Sequence, residues 1–499
     1  MELARKLTIN ACFMNTSIFS TALLISLLLL VSAGAPQKNP VDKPRLLVLT
    51  DIGGDPDDTQ SLRRLLVYAN EFRFEGFVAT SDNIPRPGYK HQINTHLILE
   101  AIDDYADVRD NLLLHAPGYP DAGYLRSIVH GGQVNRGVEN LAPGLETPGS
   151  RHIIKSVDSS REPLFIIIWG GAHDLAQALL DVKSTRSPKQ VEKFTRKIRV
   201  YAISDQDAIN NVHPKGTGAW IRENFPDMWY VEAGPLTFGG MTALFRGMYQ
   251  NDSRGGEFLP LPLVKPGLEQ LNNEQWIREN VTAWGPLGEG YPSSVGQNPG
   301  SERNTRGVKE GDTPSWFFVF QNGLNDPRHP EWGGWGGRFI HQERAYYTDA
   351  QDEHWSGEHD ASVMRKWTVA RYREAYQNDF AARMRWCKLS YDEANHYPVG
   401  VIGKDATRDI LKMKVKKGQT VEMDASASYD PDGDNIRYNW WIYKEISASG
   451  ASLENSDQAV VHVQVPESSS GEEIHLILEV TDNGNPALTS YRRVVLQVR

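Results

Sequence analysis

Four carboxylates fall within eight residues, in Asp51-Ile-Gly-Gly-Asp55-Pro-Asp57-Asp58. Acids crowded this closely repel one another strongly unless a cation or a polyhydroxylated ligand offsets their charge. Gly53 and Gly54 allow a tight turn and close approach of a ligand to the backbone. Capping of a following helix accounts for Asp57 or Asp58, but not for all four acids. If a sugar bound here is hydrolysed, the reaction follows glycosidic logic: carboxylates stabilise an oxocarbenium-like ring while a base-activated water attacks the anomeric carbon. Asp55, Asp57 and Asp58 are the candidate bases, and Asp51 a candidate ligand contact. A second stretch, Asn322 to Arg338, places Trp332 and Trp335 among glycines. It is either a pair of flat faces for a sugar or nucleobase, with Arg338 bonding ring hydroxyls, or a rigid loop whose tryptophans tuck inward.

The elements that position these residues follow from the apolar runs. Leu46–Thr50, Phe74–Thr80, Pro163–Trp169 and Ile198–Ile203 are short, continuous and rich in β-branched residues, the pattern of buried parallel strands. Helical patterns lie between them at Thr59–Phe72, His91–Ala106 and His173–Asp181. An α/β fold over residues 44–390 is therefore expected, a mainly parallel sheet flanked by helices, with ligand-binding loops at the strand ends. From 398 to 499 apolar and polar residues alternate, as in Val460-Val-His-Val-Gln-Val465, between Gly, Asp, Asn and Pro clusters. That predicts an all-β, immunoglobulin-like antiparallel sandwich.

At the amino terminus Arg5 and Lys6 precede an apolar run from Thr21 to Val31, with small residues at Ser32–Ala35. Residues 1–35 read as a secretory signal peptide, which predicts a secreted or periplasmic protein. The run is shorter than the ~20 residues that span a bilayer, and no later segment is a candidate span. A net charge of −10 argues against a nucleic-acid backbone as partner. Cys12 lies in the leader and Cys387 is alone in the mature chain, so no disulfide within it is expected and Cys387 reads as a buried, inert thiol. Asn251 and Asn280 match the glycosylation sequon. Nucleophile-elbow, zinc-protease, Walker and dinucleotide signatures do not occur.

The acidic loop after the first strand resembles the D-x-D-x-x-x-D-D opening of nucleoside hydrolases, whose carboxylates bind calcium and ribose hydroxyls. Asp51, Asp57 and Asp58 match. Gly53 replaces the third-position aspartate and Asp55 is gained, so calcium binding and ordinary hydrolysis depend on whether Asp55 substitutes. Phe77-Val-Ala-Thr-Ser-Asp-Asn83 resembles the family's second strand and makes Asn83 a ribose contact. Trp169-Gly-Gly-Ala-His173-Asp174-Leu-Ala-Gln-Ala-Leu179 resembles its G-P-L-T-N-x-A-x-A-L segment. Asp174 then contacts substrate and His173 stands where a backbone carbonyl helps bind calcium. Helix capping is the alternative for both.

The resemblance implies a calcium site of Asp51, Asp58 and a late aspartate. Asp312 is the first candidate for it, a β-run expected at Trp316–Gln321, and Asp360 in His359-Asp360 is the second. His173, His354 or His359 would assist the leaving group. The Gly/Trp loop resembles the branch of nucleoside-hydrolase-like proteins labelled cellulose-binding in bacteria. Asp424-Ala-Ser-Ala-Ser-Tyr-Asp-Pro-Asp-Gly-Asp434 with Tyr438-Asn-Trp-Trp441 resembles a PKD-type module. Two functions follow: an N-glycosidic hydrolase acting on a nucleoside or related glycoside, or a glucan-binding protein that keeps the hydrolase fold. The family's dimers and tetramers leave room for a homo-oligomer.

Overall fold

A computed structural model describes residues 43–499 except Asp55, 82–89, 208–215, 236–241, 250–263, 297–303 and 469–470. The leader, Asp55, Asn83 and the Asn251 sequon lie outside the described residues. Among those described, no helix is long and apolar enough to cross a membrane.

The apolar runs pair into one large sheet. Its strands are β1 (Arg45–Thr50), β2 (Arg73–Ala79), β3 (Val129–Gly131), β4 (Leu164–Ile168), β5 (Ile198–Ile203) and β6 (Trp229–Ala233). After a separate ribbon of β7 (Ser294–Gly296) and β8 (Asn304–Arg306), β9 (Phe339–His341) and β10 (Tyr346–Asp349) complete it. The order is β3-β2-β1-β4-β5-β6-β10-β9, parallel except for the edge strand β9. Period-two alternation sends Leu46 and Val48 to one apolar layer and Leu47 and Leu49 to the other. Because the chain leaves β1 for β2 on one side and returns to β4 on the other, the crevice beyond β1 and β4 is a topological switch point, where such sheets bind ligands.

The first helix spans Pro56–Val67 and so begins earlier than the periodicity suggests. Asp57 and Asp58 stand in its first turn, where the positive end of the helix dipole favours carboxylates. The next runs from Thr95 to His115. The β-run expected at Trp316–Gln321 is instead a short helix, Thr313–Phe317, opened by Pro314 and driven inward by its aromatics. Trp316 and Phe317 are fully buried.

The carboxy-terminal part is a sandwich. One sheet is β11 (Leu411–Val415), β17 (Thr489–Val498), β16 (Glu473–Thr481) and β13 (Arg437–Ile442), in that order. The other is β12 (Thr420–Asp424), β15 (Val460–Gln464) and β14 (Ser452–Glu454). Pairing is antiparallel except that β11 runs parallel to β17, a direction no hairpin dictates because the two are far apart in sequence. Val421, Trp440, Val463, Leu476 and Leu496 fill the space between the sheets.

The outer face of the four-stranded sheet is covered by the α/β part, with Ile477 and Tyr491 joining the main core. Here the Gly/Trp loop is buried. Trp332 and Trp335 are 4% and 1% exposed, which corrects the expectation that they offer stacking faces to a sugar. Gly333, at φ +72°, lets the Tyr443 ring come so close that a Cβ would stand 2.4 Å from its hydroxyl. The Trp335 indole faces the Tyr491 hydroxyl at 3.4 Å. Arg338 is also enclosed: its Nε donates to Asp352 at 2.6 Å and its Nη2 to the Gln351 carbonyl at 2.5 Å, so it does not reach a ligand as expected.

Asp352 also accepts from Arg371 (2.9 Å) and from the Tyr443 hydroxyl (2.7 Å). Arg493 donates to the carbonyls of Leu324 (2.5 Å), Trp332 (2.9 Å) and Gly333 (3.0 Å). Its Nη1 lies 3.1 Å from His475 Nδ1, and burial with the adjacent Arg493 charge pushes that imidazole down to about 3, so His475 is neutral and accepts. Arg493→Ala should strip three buried carbonyls of their donor and cost roughly 3 kcal/mol or more, read by urea unfolding. Stability within about 0.5 kcal/mol of wild type would show that the seam does not depend on this residue.

Candidate active site

The loops beyond β1, β4 and β5 meet at the switch point. Asp51 directly follows β1 and is 5% exposed, packed so closely on Gly170 that a Cβ there would stand 2.7 Å from its carboxylate. Gly53 holds φ +95°, and the Asn94 side chain, donating to the Ile52 carbonyl at 2.9 Å, fills the space a Cβ would take. The Thr50 hydroxyl donates to Asp58 Oδ1. One oxygen each from Asp57, Asp58 and Asp312 lies within 4.8 Å of the others, Asp57 half-buried and the other two buried. Tyr249 and Asp57 flank Gly311, where a Cβ would stand 2.8 Å from the tyrosine hydroxyl and 3.4 Å from Asp57 Oδ2.

Asp312 reaches the cluster because the first helix grips its loop. Gln60 accepts from the Lys309 amide (2.7 Å) and donates to the carbonyls of Pro292 (2.8 Å) and Gly307 (3.2 Å). Arg64 pairs with Glu310 at 2.7 Å with no exposure on either side, and Thr313 donates to the same carboxylate at 2.9 Å. Asp360, the second candidate, instead caps the helix Ala361–Ala370 by accepting from the amides of Ser362 and Val363. That occupation explains why it stays with its helix. Two oxygens bound to one calcium, each at roughly 2.3–2.6 Å, are up to ~5 Å apart. The trio therefore fits a divalent cation as a donor set, with Asp57 where the expectation had Asp51.

His173 and Asp174 open the helix His173–Thr185, but Ala172 is its N-cap and no side chain caps it. Asp174, fully buried, accepts from the Gln133 amide (3.1 Å) and the Thr147 hydroxyl (2.7 Å). It braces the turn after β3, a correction to both the capping and the substrate-contact readings. His173 is 1% exposed. Its Nε2 lies 2.9 Å from the Gln133 carbonyl and its Nδ1 3.5 Å from Asp207, an ion-pair distance rather than a formed hydrogen bond. Burial alone would lower its pKa, but Asp207 and Asp174 outweigh that and push it up to about 9. The ring is thus an enclosed imidazolium, which corrects the expectation that it meets a leaving group.

Asp207 answers it. Burial would raise this carboxyl, yet His173 and Arg136 hold it well below the usual carboxylate range, and the Thr217 hydroxyl donates to it. Gly171 makes room, since a Cβ there would stand 2.2 Å from Asp207 Oδ1 and 2.8 Å from His173 Nδ1. Asp349, ending β10, accepts from the amides of Gly234 and Leu244, both at 2.9 Å, and burial pushes it up to about 7. Sequence reading passed over both, although Asp207 comes shortly after β5 and Asp349 is the last residue of β10. His354 is buried on the sandwich side and His359 is exposed on the loop before the Asp360 cap. Burial pushes the Cys387 thiol up, in keeping with an inert group.

Residues 45–339 match the family described as cellulose-binding Sde182, nucleoside hydrolase-like domain. Residues 420–498 match the cellulose-binding protein Sde0182 C-terminal domain. A solved structure of a nucleoside hydrolase-related protein from Saccharophagus degradans, described as associated with carbohydrate metabolism, is 33% identical. That alignment covers 92% of this chain and 100% of the other at a TM-score of 0.71. The inosine-uridine preferring nucleoside hydrolase of Bacillus anthracis is 13% identical, with coverage of 69% and 99% and a TM-score of 0.33. No curated protein sequence matches. The domain match over residues 45–339 and the 33% identical structure show the family: the chain belongs to the one described as cellulose-binding Sde182, nucleoside hydrolase-like domain.

Proposed function

We propose that the protein is a secreted, cation-assisted hydrolase of an N-glycosidic bond in a nucleoside or related glycoside. The convergence of Asp57, Asp58 and Asp312 at the switch point is the observation that carries this reading. These three carboxylates would hold calcium, whose positive charge relieves their repulsion and polarises sugar hydroxyls that reach it. Asp51, which packs beside Gly170, is proposed to accept from another hydroxyl. Positive charge developing on the sugar ring is stabilised by the acidic cluster. Asp57 is the better base of the described pair, because it is the less buried of the two. Asp55 remains a proposed alternative from the sequence alone. Secretion rests on the Arg5-to-Ala35 leader pattern.

A second reading, glucan binding without turnover, is favoured by the family description and by Gly53 in place of an acid. Hydrolysis of inosine and p-nitrophenyl riboside in calcium separates the two. Under the first reading wild type releases base or nitrophenol, and Asp57→Asn lowers turnover by roughly 10²-fold or more. Absence of turnover in wild type supports the second.

The His173–Asp207 pair is proposed to fix the floor of the site. His173 sits at about 9 when folded, above its ordinary ~6.5, so its contribution to stability is full below ~6.5 and lost as pH rises through about 9. Asp207 is shifted the opposite way, so its contribution is present above ~4 and lost only in stronger acid. The stability advantage of wild type over His173→Gln should therefore be greatest between about pH 4 and 6.5 and shrink toward pH 9. A difference that does not change with pH contradicts this pairing.

A further inference from the structure

A groove of about 680 Å³ lies along the seam, within the range of roughly 300–1,000 Å³ typical of small-molecule sites. One wall is the outer face of the four-stranded sheet. Arg437, Asn439 and Trp441 alternate outward along β13, and Glu479 and Tyr491 sit in register beside Asn439. The other wall is the start of the helix Arg373–Trp386, with Glu374 and Asn378, and the Glu353-His354-Trp355 loop. None of these belongs to the acidic cluster at the switch point.

We propose that this groove seats a segment of a neutral glucan chain; the assignment rests on the glucan-binding reading above and gives that binding its place. The aromatic faces are held ready. Trp355 is 41% exposed at the groove. The Trp441 indole N–H donates to Glu479 at 3.1 Å, while the Arg371 guanidinium lies 4.8 Å from its ring and is itself anchored on Asp352. The ring is held in place, half-buried against the main core. Such amphipathic rings, edged by the Asn439 and Asn378 amides and the Arg437 guanidinium, suit a pyranose, which offers apolar C–H faces and hydroxyls around its rim.

Two further observations point to a polar ligand. Among the described residues, the Tyr372 hydroxyl and His354 Nε2 are buried without a hydrogen-bond partner, and both residues line the groove. Leaving such groups unsatisfied is costly, and a hydroxyl-rich ligand relieves it. The charged lining residues are balanced, four basic (Lys265, Arg371, Arg437 and Lys444) against four acidic. A balanced wall gives no net field for a polyanion or a polycation, whereas an uncharged chain needs none.

Titration of the full chain with cellohexaose, and retention on swollen cellulose, test the assignment. Trp355→Ala and Arg437→Ala alter exposed side chains, so the fold should persist, and each should weaken binding roughly threefold or more. Trp355→Phe should recover much of the loss. If wild type binds and both alanine variants match it, the groove assignment fails while glucan binding stands. If wild type binds neither probe, the glucan reading fails and takes the groove with it.

Discussion

Arg64 and Glu310 meet 2.7 Å apart with neither side chain exposed, and the placement of the acidic site depends on that contact. The guanidinium is also held by the Gln377 side chain at 2.5 Å and lies 4.0 Å from the Phe380 ring. The carboxylate takes the Tyr291 and Thr313 hydroxyls as well. A buried pair is held here by its mutual charge and by these neighbours, and removing one partner typically costs about 3–5 kcal/mol. Its consequence is positional. The helix that opens with Asp57 and Asp58 carries Gln60 and Arg64 on later turns, and those two fasten the loop that ends in Asp312. One helix therefore supplies two carboxylates and fixes the third.

The same economy governs the seam with the sandwich. The Gly/Trp loop is apolar enough to be a ligand platform, yet Gly333 serves to admit Tyr443 and Trp335 completes a core that continues into β16 and β17. Three arginines, Arg338, Arg371 and Arg493, are spent on Asp352 and on loop carbonyls. What remains accessible lies at the margin, where outward side chains of β13 line a groove. Enclosure of the loop and exposure of that margin are two results of one docking arrangement.

What the sequence disclosed follows the range of the interactions involved. Strands β1, β2, β4 and β5 were legible because a buried parallel strand is a continuous apolar run, a purely local signal. The acidic loop was legible because its charge density is local too. Asp312 came from resemblance, and its neighbourhood was misread as a strand because Trp316 and Phe317 are apolar for the sake of the core, whatever their backbone does. Arg64 and Glu310 are far apart in the chain, and nothing near either names the other. His173 and Asp174 sit where motif matching put them, but partners from other segments, Asp207 and Thr147, absorb their side chains. Trp332 and Trp335 show the same limit: composition says aromatic, and only the docked sandwich says covered.

The central claim is that one helix assembles a cation site from residues both on it and clamped by it. Diffraction from calcium-soaked crystals of the full chain tests this directly. An anomalous peak with carboxylate oxygens of Asp57, Asp58 and Asp312 at roughly 2.3–2.6 Å is the expected result. A calcium peak elsewhere, or none at the trio in millimolar calcium, would contradict it.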